Sequence, residues 1–437
     1  MKRKVSELYD YIILLAVLIL VTLGILFIYS SAINSEGVCV TNEYVKQIIW
    51  AGIGLFMMIL ISFYDYRRLQ RVAYWLYIAF GILLLYTKFF GRYVNGARSW
   101  LGIGDFGIQP SEFCKVIFIL TLSKYLTESR NEKPLRRFII AMGIMALPCG
   151  LILLQPDLGT ATVYIPVFFV MCFMAGIPVK FIGFVLLMGV STIFFAILPV
   201  WNSEIEGSSH RWITILTNMK LRIVLIMVTT SISLIGVVVR RYFHGKRYFF
   251  WIAYFFIITT LGLIFSMGVS KVLKEYQIMR LIIFMDPNVD PLGSGWNIIQ
   301  SKIAIGSGRF LGRGYLNGSQ SHYRFLPEQS TDFIFSILSE EFGFIGGMVV
   351  YFLYFVIFVR LIQLMKNLSN NFGLFIVSGV LAMFSFHFFI NVGMVMGIMP
   401  ITGIPLLFLS YGGSSLLTSM ICIGLVMNIY RHKKDLY

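Results

Sequence analysis

Charge, acid and cysteine are all scarce in this chain. Of its 437 residues only 13% are charged, and Asp and Glu number 20 against 36 Lys and Arg. A soluble globular domain carries about twice that charged fraction, so a freely solvated protein is excluded. The five cysteines, Cys39, Cys114, Cys149, Cys172 and Cys422, are scattered and outline no disulfide framework. No CxxC or HExxH spacing offers a zinc site. The Gly-Gly motif Ser410-Tyr411-Gly412-Gly413-Ser414 lacks the lysine and spacing of a phosphate-binding loop. Ten-residue segments of alternating polarity are missing as well, which argues against a transmembrane β-barrel. The net charge of +16 has no soluble domain to carry it, so nucleic-acid binding is not expected.

What the chain has in excess is apolar length. Hydrophobic residues make up 58% of it and the mean hydropathy is +0.82. Several runs exceed the roughly 18 residues a helix needs to cross a bilayer. The sequence predicts an all-α polytopic membrane protein, a single integral domain over 1–437. Its twelve predicted helices are 11–32, 46–64, 72–90, 112–127, 137–154, 158–177, 179–200, 221–239, 248–269, 333–363, 373–393 and 403–430. The first run lacks a small-residue cleavage site and reads as a retained helix. Basic clusters at Lys2–Lys4, Arg67–Arg71, Lys124–Arg137, Arg240–Arg247 and Arg431–Lys434 fall on one side if both termini are cytoplasmic. The loops 33–45 and 394–402 then lie outside and are nearly free of Lys and Arg, as the positive-inside rule requires.

That topology places residues 271–331 outside, as a large extracytoplasmic loop. A loop of that length is uncommon unless functional or disordered, and its aromatic and apolar content argues against disorder. It is rich in glycine and basic, with Arg280, Lys302, Arg309, Arg313 and Arg324, and it ends at Asp332, on the water–lipid boundary. Arginine offers a two-pronged fork for phosphate oxygens; loop cations also attract anionic headgroups. Spacing does not say which of them converge. Gly293, Gly295, Gly306, Gly308, Gly312 and Gly314 are expected to supply tight turns.

Long motifs in a fixed order carry a resemblance. They are Asn95-Gly96-Ala97-Arg98-Ser99-Trp100-Leu101-Gly102, Gln109-Pro110-Ser111-Glu112-Phe113-Cys114-Lys115, Gln155-Pro156-Asp157-Leu158-Gly159-Thr160, Phe325-Leu326-Pro327-Glu328, Thr331-Asp332-Phe333, Asn391-Val392-Gly393-Met394 and the stretch from Pro405 to Ser414. Together they closely resemble the SEDS family of peptidoglycan glycosyltransferases, the relatives of RodA, FtsW and SpoVE, over nearly the whole chain. Gly318-Ser319-Gln320-Ser321 before the Leu-Pro-Glu motif looks like the elongation branch, concerned with rod shape, rather than the division branch. The family usually has ten spans; here residues 203–270 look like an inserted helical hairpin that crosses out and back.

The resemblance implies a membrane enzyme that polymerises lipid II, as both donor and acceptor, into glycan strands and releases polyprenyl pyrophosphate. It implies Asp332 as the catalytic residue, either a base for the acceptor hydroxyl or a ligand for a divalent cation, Mg or Mn, at the pyrophosphate. It implies a class B penicillin-binding transpeptidase as partner, other elongation-complex membrane proteins as further contacts, and a bacterial cytoplasmic membrane as the location. The substrate-binding set expected with it is Arg98, Trp100, Glu112, Lys115, Asp157, Arg280, Lys302, Arg313 and Glu328.

Each of these residues has a plainer reading. Asp332 and Asp157 both stand where an aspartate would cap a helix. Trp100 suits an interfacial aromatic belt, and Arg98 can simply anchor its loop. Glu112 and Lys115, three apart, share a helix face; charge at such depth is costly and marks either a functional cavity or a pair that closes the bundle. Gln109 and Ser111 are expected to cap that helix. His387 and Asn391, four apart, read as polar glue between helices, and Gly412-Gly413 as a close helix approach. Two other functions fit parts of the chain: a lipid II flippase or other transporter, and a scaffold without catalysis. A carrier would gather its polar features near the midplane in repeated halves, whereas here they gather outside.

Overall fold

The computed structural model describes residues 9–94, 97–103, 106–204, 216, 218–242, 247–272, 275–291 and 293–433. It divides into two compact units, one of Met1–Ile177 with Asn297–Tyr437, the other Pro178–Trp296. In lipid every backbone polar group must bond within its own segment, so apolar runs become helices.

The first unit contains α1 (Tyr11–Ala32), α2 (Glu43–Phe63), α3 (Tyr66–Phe90), α4 (Pro110–Glu128), α5 (Pro134–Leu153) and α6 (Leu158–Met174). After the second unit it resumes with most of α11 (Ser294–Gly308), then α12 (Ser319–His322), α13 (Ile334–Lys366), α14 (Asn371–Val395) and α15 (Gly413–His432). α14 and α15 are buried along most of their length, and α3 is the most exposed of these helices to its surroundings. α15 packs on α2, α14 on α4 and α6, and α1 on α13. Side chains seal the helix ends. Asp10 caps α1 through the Ile12 and Ile13 amides and pairs with Arg360 of α13 at 2.7 Å, and Asn370 caps α14.

All twelve predicted segments are helical, with two qualifications of span and one of extent. Among the described residues ten helices are long and apolar enough to cross a membrane. α4, with Glu112, Lys115, Lys124 and Glu128, and α6, of 17 residues, fall outside that set. The predicted helix 403–430 begins only at Gly413; the apolar stretch before it is irregular, with Phe408 at φ 67°. The loop before α4 also holds strands that the sequence reading lacks: β1 (Arg92–Val94), β2 (Ala97–Ile103) and β3 (Phe106–Ile108), a meander ordered β1-β2-β3. It pairs Arg92 with Trp100 and Leu101 with Ile108.

The second unit contains α7 (Val179–Glu204), α8 (Met219–Tyr242), α9 (Arg247–Val272), α10 (Glu275–Met285) and a short 3-10 turn at Pro287–Val289. The hairpin expected at 203–270 is α8 and α9, which pack on each other and, through α9, on α7. Buried Arg222 of α8 donates to the Leu263 carbonyl at 3.2 Å and to Ser266 of α9. Thr260 reaches Thr229 at 2.9 Å. The stretch 271–331 is thus not a continuous loop: α10, α11 and α12 lie within it, and Gly295, Gly306 and Gly308 are helical rather than turn residues.

Candidate active site

Asp332 sits just before α13, half-buried and fixed through its peptide group. Its N–H donates to the Glu328 carbonyl at 3.0 Å, and its own carbonyl accepts the Asn391 side-chain amide at 2.9 Å. Asn391, fully buried in α14, also donates to the Ile404 carbonyl at 2.8 Å. One side chain therefore ties residue 332 to the irregular stretch before α15. Gly403 in that stretch has φ +69°, and a Cβ there would lie 3.5 Å from the Asp332 Oδ2.

Asp157 borders the same stretch from α6. A Cβ on Gly159 would stand 2.6 Å from the Thr402 carbonyl oxygen and 3.8 Å from the Asp157 Oδ1. Asp157 caps α6, accepting from the Thr160 amide at 3.0 Å and its hydroxyl at 2.8 Å, and Gln109 donates to its Oδ2 at 2.8 Å. Both oxygens are engaged, which suits a cap. Gln109 makes no cap bond at α4, and the Ser111 hydroxyl has no partner among the described residues. The expected capping of α4 by these two is corrected accordingly: Gln109 crosses to Asp157 instead.

Beneath lies a chain of buried polar groups. Lys115 Nζ donates to Glu112 Oε1 at 2.7 Å and lies 3.4 Å from His387 Nε2. His387 Nδ1 is 3.0 Å from the Pro405 carbonyl. With the proton on Nδ1, the ring donates to Pro405 and accepts from the Lys115 ammonium, so every contact is satisfied by a neutral imidazole. Glu112, Lys115, His387 and Asn391 thus brace the stretch that carries Ile404 and Pro405. The glue expected of His387 and Asn391 binds this stretch. The Gly-Gly approach is also present, with Gly413 packed on the Trp50 indole of α2.

The other candidates are dispersed. Lys302, exposed on α11, lies over Gly397 of φ +72°, where a Cβ would be 2.7 Å from its Nζ. Arg313 is exposed and donates to Ser319 Oγ at 2.7 Å. Glu328, at φ 50°, accepts from the Thr331 hydroxyl at 3.3 Å. Arg98, exposed on β2, reaches the Phe89 carbonyl at 3.4 Å, an anchor for its loop. Trp100, on the same strand, packs against Gly107. Arg280 belongs to α10 of the second unit.

Sequence reasoning missed Glu340 and Glu341. Both are buried in α13, where the helix breaks at Gly343 (φ 63°, ψ −156°). Chain from the preceding loop fills the break: the Phe344 amide donates to the Arg309 carbonyl at 2.9 Å, and the Arg313 amide to the Glu340 carbonyl at 3.0 Å. Two adjacent acids inside an otherwise apolar run were the available signal.

This helical membrane bundle matches known proteins. The FtsW/RodA/SpoVE family model, described as a cell cycle protein, matches residues 10–220 and 202–435. The chain belongs to this family and is a multi-pass membrane protein. It is 51% identical to the peptidoglycan glycosyltransferase RodA of Treponema pallidum, over 98% of each chain. It is 32% identical to the stage V sporulation protein E of Bacillus subtilis, over 97% of this chain and 98% of that one. Among solved structures, a chain of a peptidoglycan synthase complex, studied for the coordination of polymerization and crosslinking, superposes with a TM-score of 0.69 at 27% identity, covering 98% of this chain and 99% of that one. The rod shape determining protein RodA of Thermus thermophilus shares the fold, with a TM-score of 0.60 at 23% identity and 98% coverage of each chain.

Proposed function

We propose that this chain is a peptidoglycan glycosyltransferase of the elongation branch, which polymerises lipid II into glycan strands with Asp332 as its general base. The observation that carries the reading is the anchoring of Asp332: its backbone is held from both sides while the residue stays half-exposed at the edge of the polar segment. In the reaction the Asp332 carboxylate takes the proton of the acceptor 4-hydroxyl, and the freed oxygen attacks the anomeric carbon of the donor. The bond to the pyrophosphate breaks, configuration inverts, and polyprenyl pyrophosphate leaves. A positioned base of this kind contributes about 10²–10⁴-fold.

A divalent cation, Mg or Mn, fits this site on one condition. Among the described residues no three of His, Cys, Asp and Glu converge as a metal site, so Asp332 would share the ion with phosphate oxygens and water, as Mg²⁺ prefers. When bound, such an ion neutralises charge on the leaving pyrophosphate. Of the dispersed cations, Lys302 and Arg313 are exposed and are the donors this reading assigns to that group once substrate is bound, and Glu112 and Lys115 hold the floor in place.

The main polar segment faces the outside of a bacterial cytoplasmic membrane, with both termini cytoplasmic, and a class B penicillin-binding transpeptidase works beside it; the basic-residue asymmetry and the relatives above support this arrangement. The α8–α9 hairpin is an addition to a ten-span frame, and deletion of 203–270 is expected to leave polymerisation intact. The deciding experiment is lipid II polymerisation by the purified chain with its transpeptidase, resolved as a glycan ladder. Asp332→Asn should lose the ladder by about 10²-fold or more while remaining folded and partner-bound. An undiminished ladder would refute the assignment.

A further inference from the structure

Glu340 and Glu341 are consecutive, 0% and 1% exposed, and among the described residues neither has a Lys, Arg or His partner. Two buried carboxylates without compensation are costly. Their hydrogen bonds show how the cost is met. Glu340 takes all its donors on Oε1: Ser319 Oγ at 3.0 Å, the Gln320 amide at 3.0 Å and Ser307 Oγ at 3.5 Å. Glu341 Oε1 accepts the Ser30 hydroxyl. Oε2 of each residue is buried with no partner among the described residues.

Protonation does not resolve this pattern. A proton on either Oε2 would be a buried O–H with no acceptor, and a proton on Glu341 Oε1, donated to the Ser30 hydroxyl, would discharge that acid but leave the Glu340 carboxylate and its bare Oε2 as they are. A cation against Glu340 Oε2 meets that bare oxygen and offsets the charge of both acids. The carboxylates also converge. A Cβ at Gly318 would lie 3.0 Å from Glu340 Oε2, 3.3 Å from Glu341 Oε1 and 2.5 Å from Ser321 Oγ, so the bare face of this glycine is lined by three side-chain oxygens. An all-oxygen donor set selects a hard divalent ion.

We propose that Glu340 and Glu341, with Ser321 beside Gly318, bind a divalent cation that clamps the 308–321 segment onto the broken helix α13, at a site separate from Asp332. The clamp does not depend on the function proposed above. The test is Mn²⁺ binding to the purified full-length chain in detergent, read as loss of the free-ion electron paramagnetic resonance signal, with no substrate present. Wild type and Asp332→Asn should retain the site, and Glu340→Gln/Glu341→Gln should lose it. Gly318→Ala keeps both carboxylates and fills the space between them, so its affinity should fall about 10-fold or more, and it serves if the double variant does not fold. Mn²⁺ should also raise the thermal midpoint of wild type but not of Gly318→Ala. The proposal is overturned if wild type takes up no Mn²⁺, if binding disappears with Asp332→Asn alone, or if Gly318→Ala binds as wild type does.

Discussion

Two pairs of charged side chains are buried in the same helical unit, and they are balanced in opposite ways. Glu112 and Lys115 neutralise each other within one turn of α4, at 2.7 Å, and hand the lysine's remaining hydrogen-bonding capacity to His387. Glu340 and Glu341 repel each other and are met directly by hydroxyls and an amide, with Arg313 reaching Glu340 only through the Ser319 hydroxyl. A pair that carries its own counter-charge can serve as a rigid floor. A pair that does not must take its balance from outside, and its stability then depends on the medium.

The comparison predicts graded responses to mutation. The largest belongs to Lys115→Met, which strands Glu112 and should cost about 3–5 kcal/mol in thermal or denaturant unfolding. Replacing both partners at once, Glu112→Leu with Lys115→Met, should recover most of that loss, because matched apolar side chains are often neutral in place of a buried pair. Asn391→Ala comes next. It removes the donors to Ile404 and Asp332 and should cost about 2 kcal/mol, with the glycan ladder falling more steeply than stability. Gly159→Ala drives a Cβ into the Thr402 carbonyl and should cost about 1–3 kcal/mol. Glu341→Gln should behave unlike any change at α4: with chelator present it stabilises, because the repulsion with Glu340 is gone, and with Mn²⁺ present it destabilises relative to wild type. The smallest effect is at Asp157. Asp157→Ala should cost about 1 kcal/mol and Asp157→Asn almost nothing, since asparagine caps as well as aspartate; retention of the ladder in the asparagine variant would identify a cap rather than a chemical group.

Much of the helical frame is legible in the chain because apolar length alone dictates it, and the motif order marks Asp332 without any contact being visible. What escapes is local or distant. The strands at 92–108 are short and glycine-rich, too brief to show a period. The stretch before Gly413 reads as helix because Pro405 to Leu409 is apolar, yet it is held irregular by bonds from His387, Asn391 and Gln47. Gly24 of α1 meets it directly: a Cβ there would lie 2.7 Å from the Leu409 carbonyl. The partnership of Asn391 with residue 332 spans 59 positions, and that between Gln109 and Asp157 spans 48. Glu340 and Glu341 hide for the opposite reason, since the long greasy run around them masks two acids in any averaged profile.

The way Asp332 is fastened has a genetic corollary. Glu328 and Asn391 grip its peptide group, so on the role proposed above a change of side chain should leave the anchors in place and yield a well-folded but inert protein. In a cell that also makes the normal copy, such a protein should occupy places in the wall-building assembly and poison it. Alleles altered at residue 332 should therefore be dominant, whereas alleles at Lys115, whose products unfold and are cleared, should be recessive.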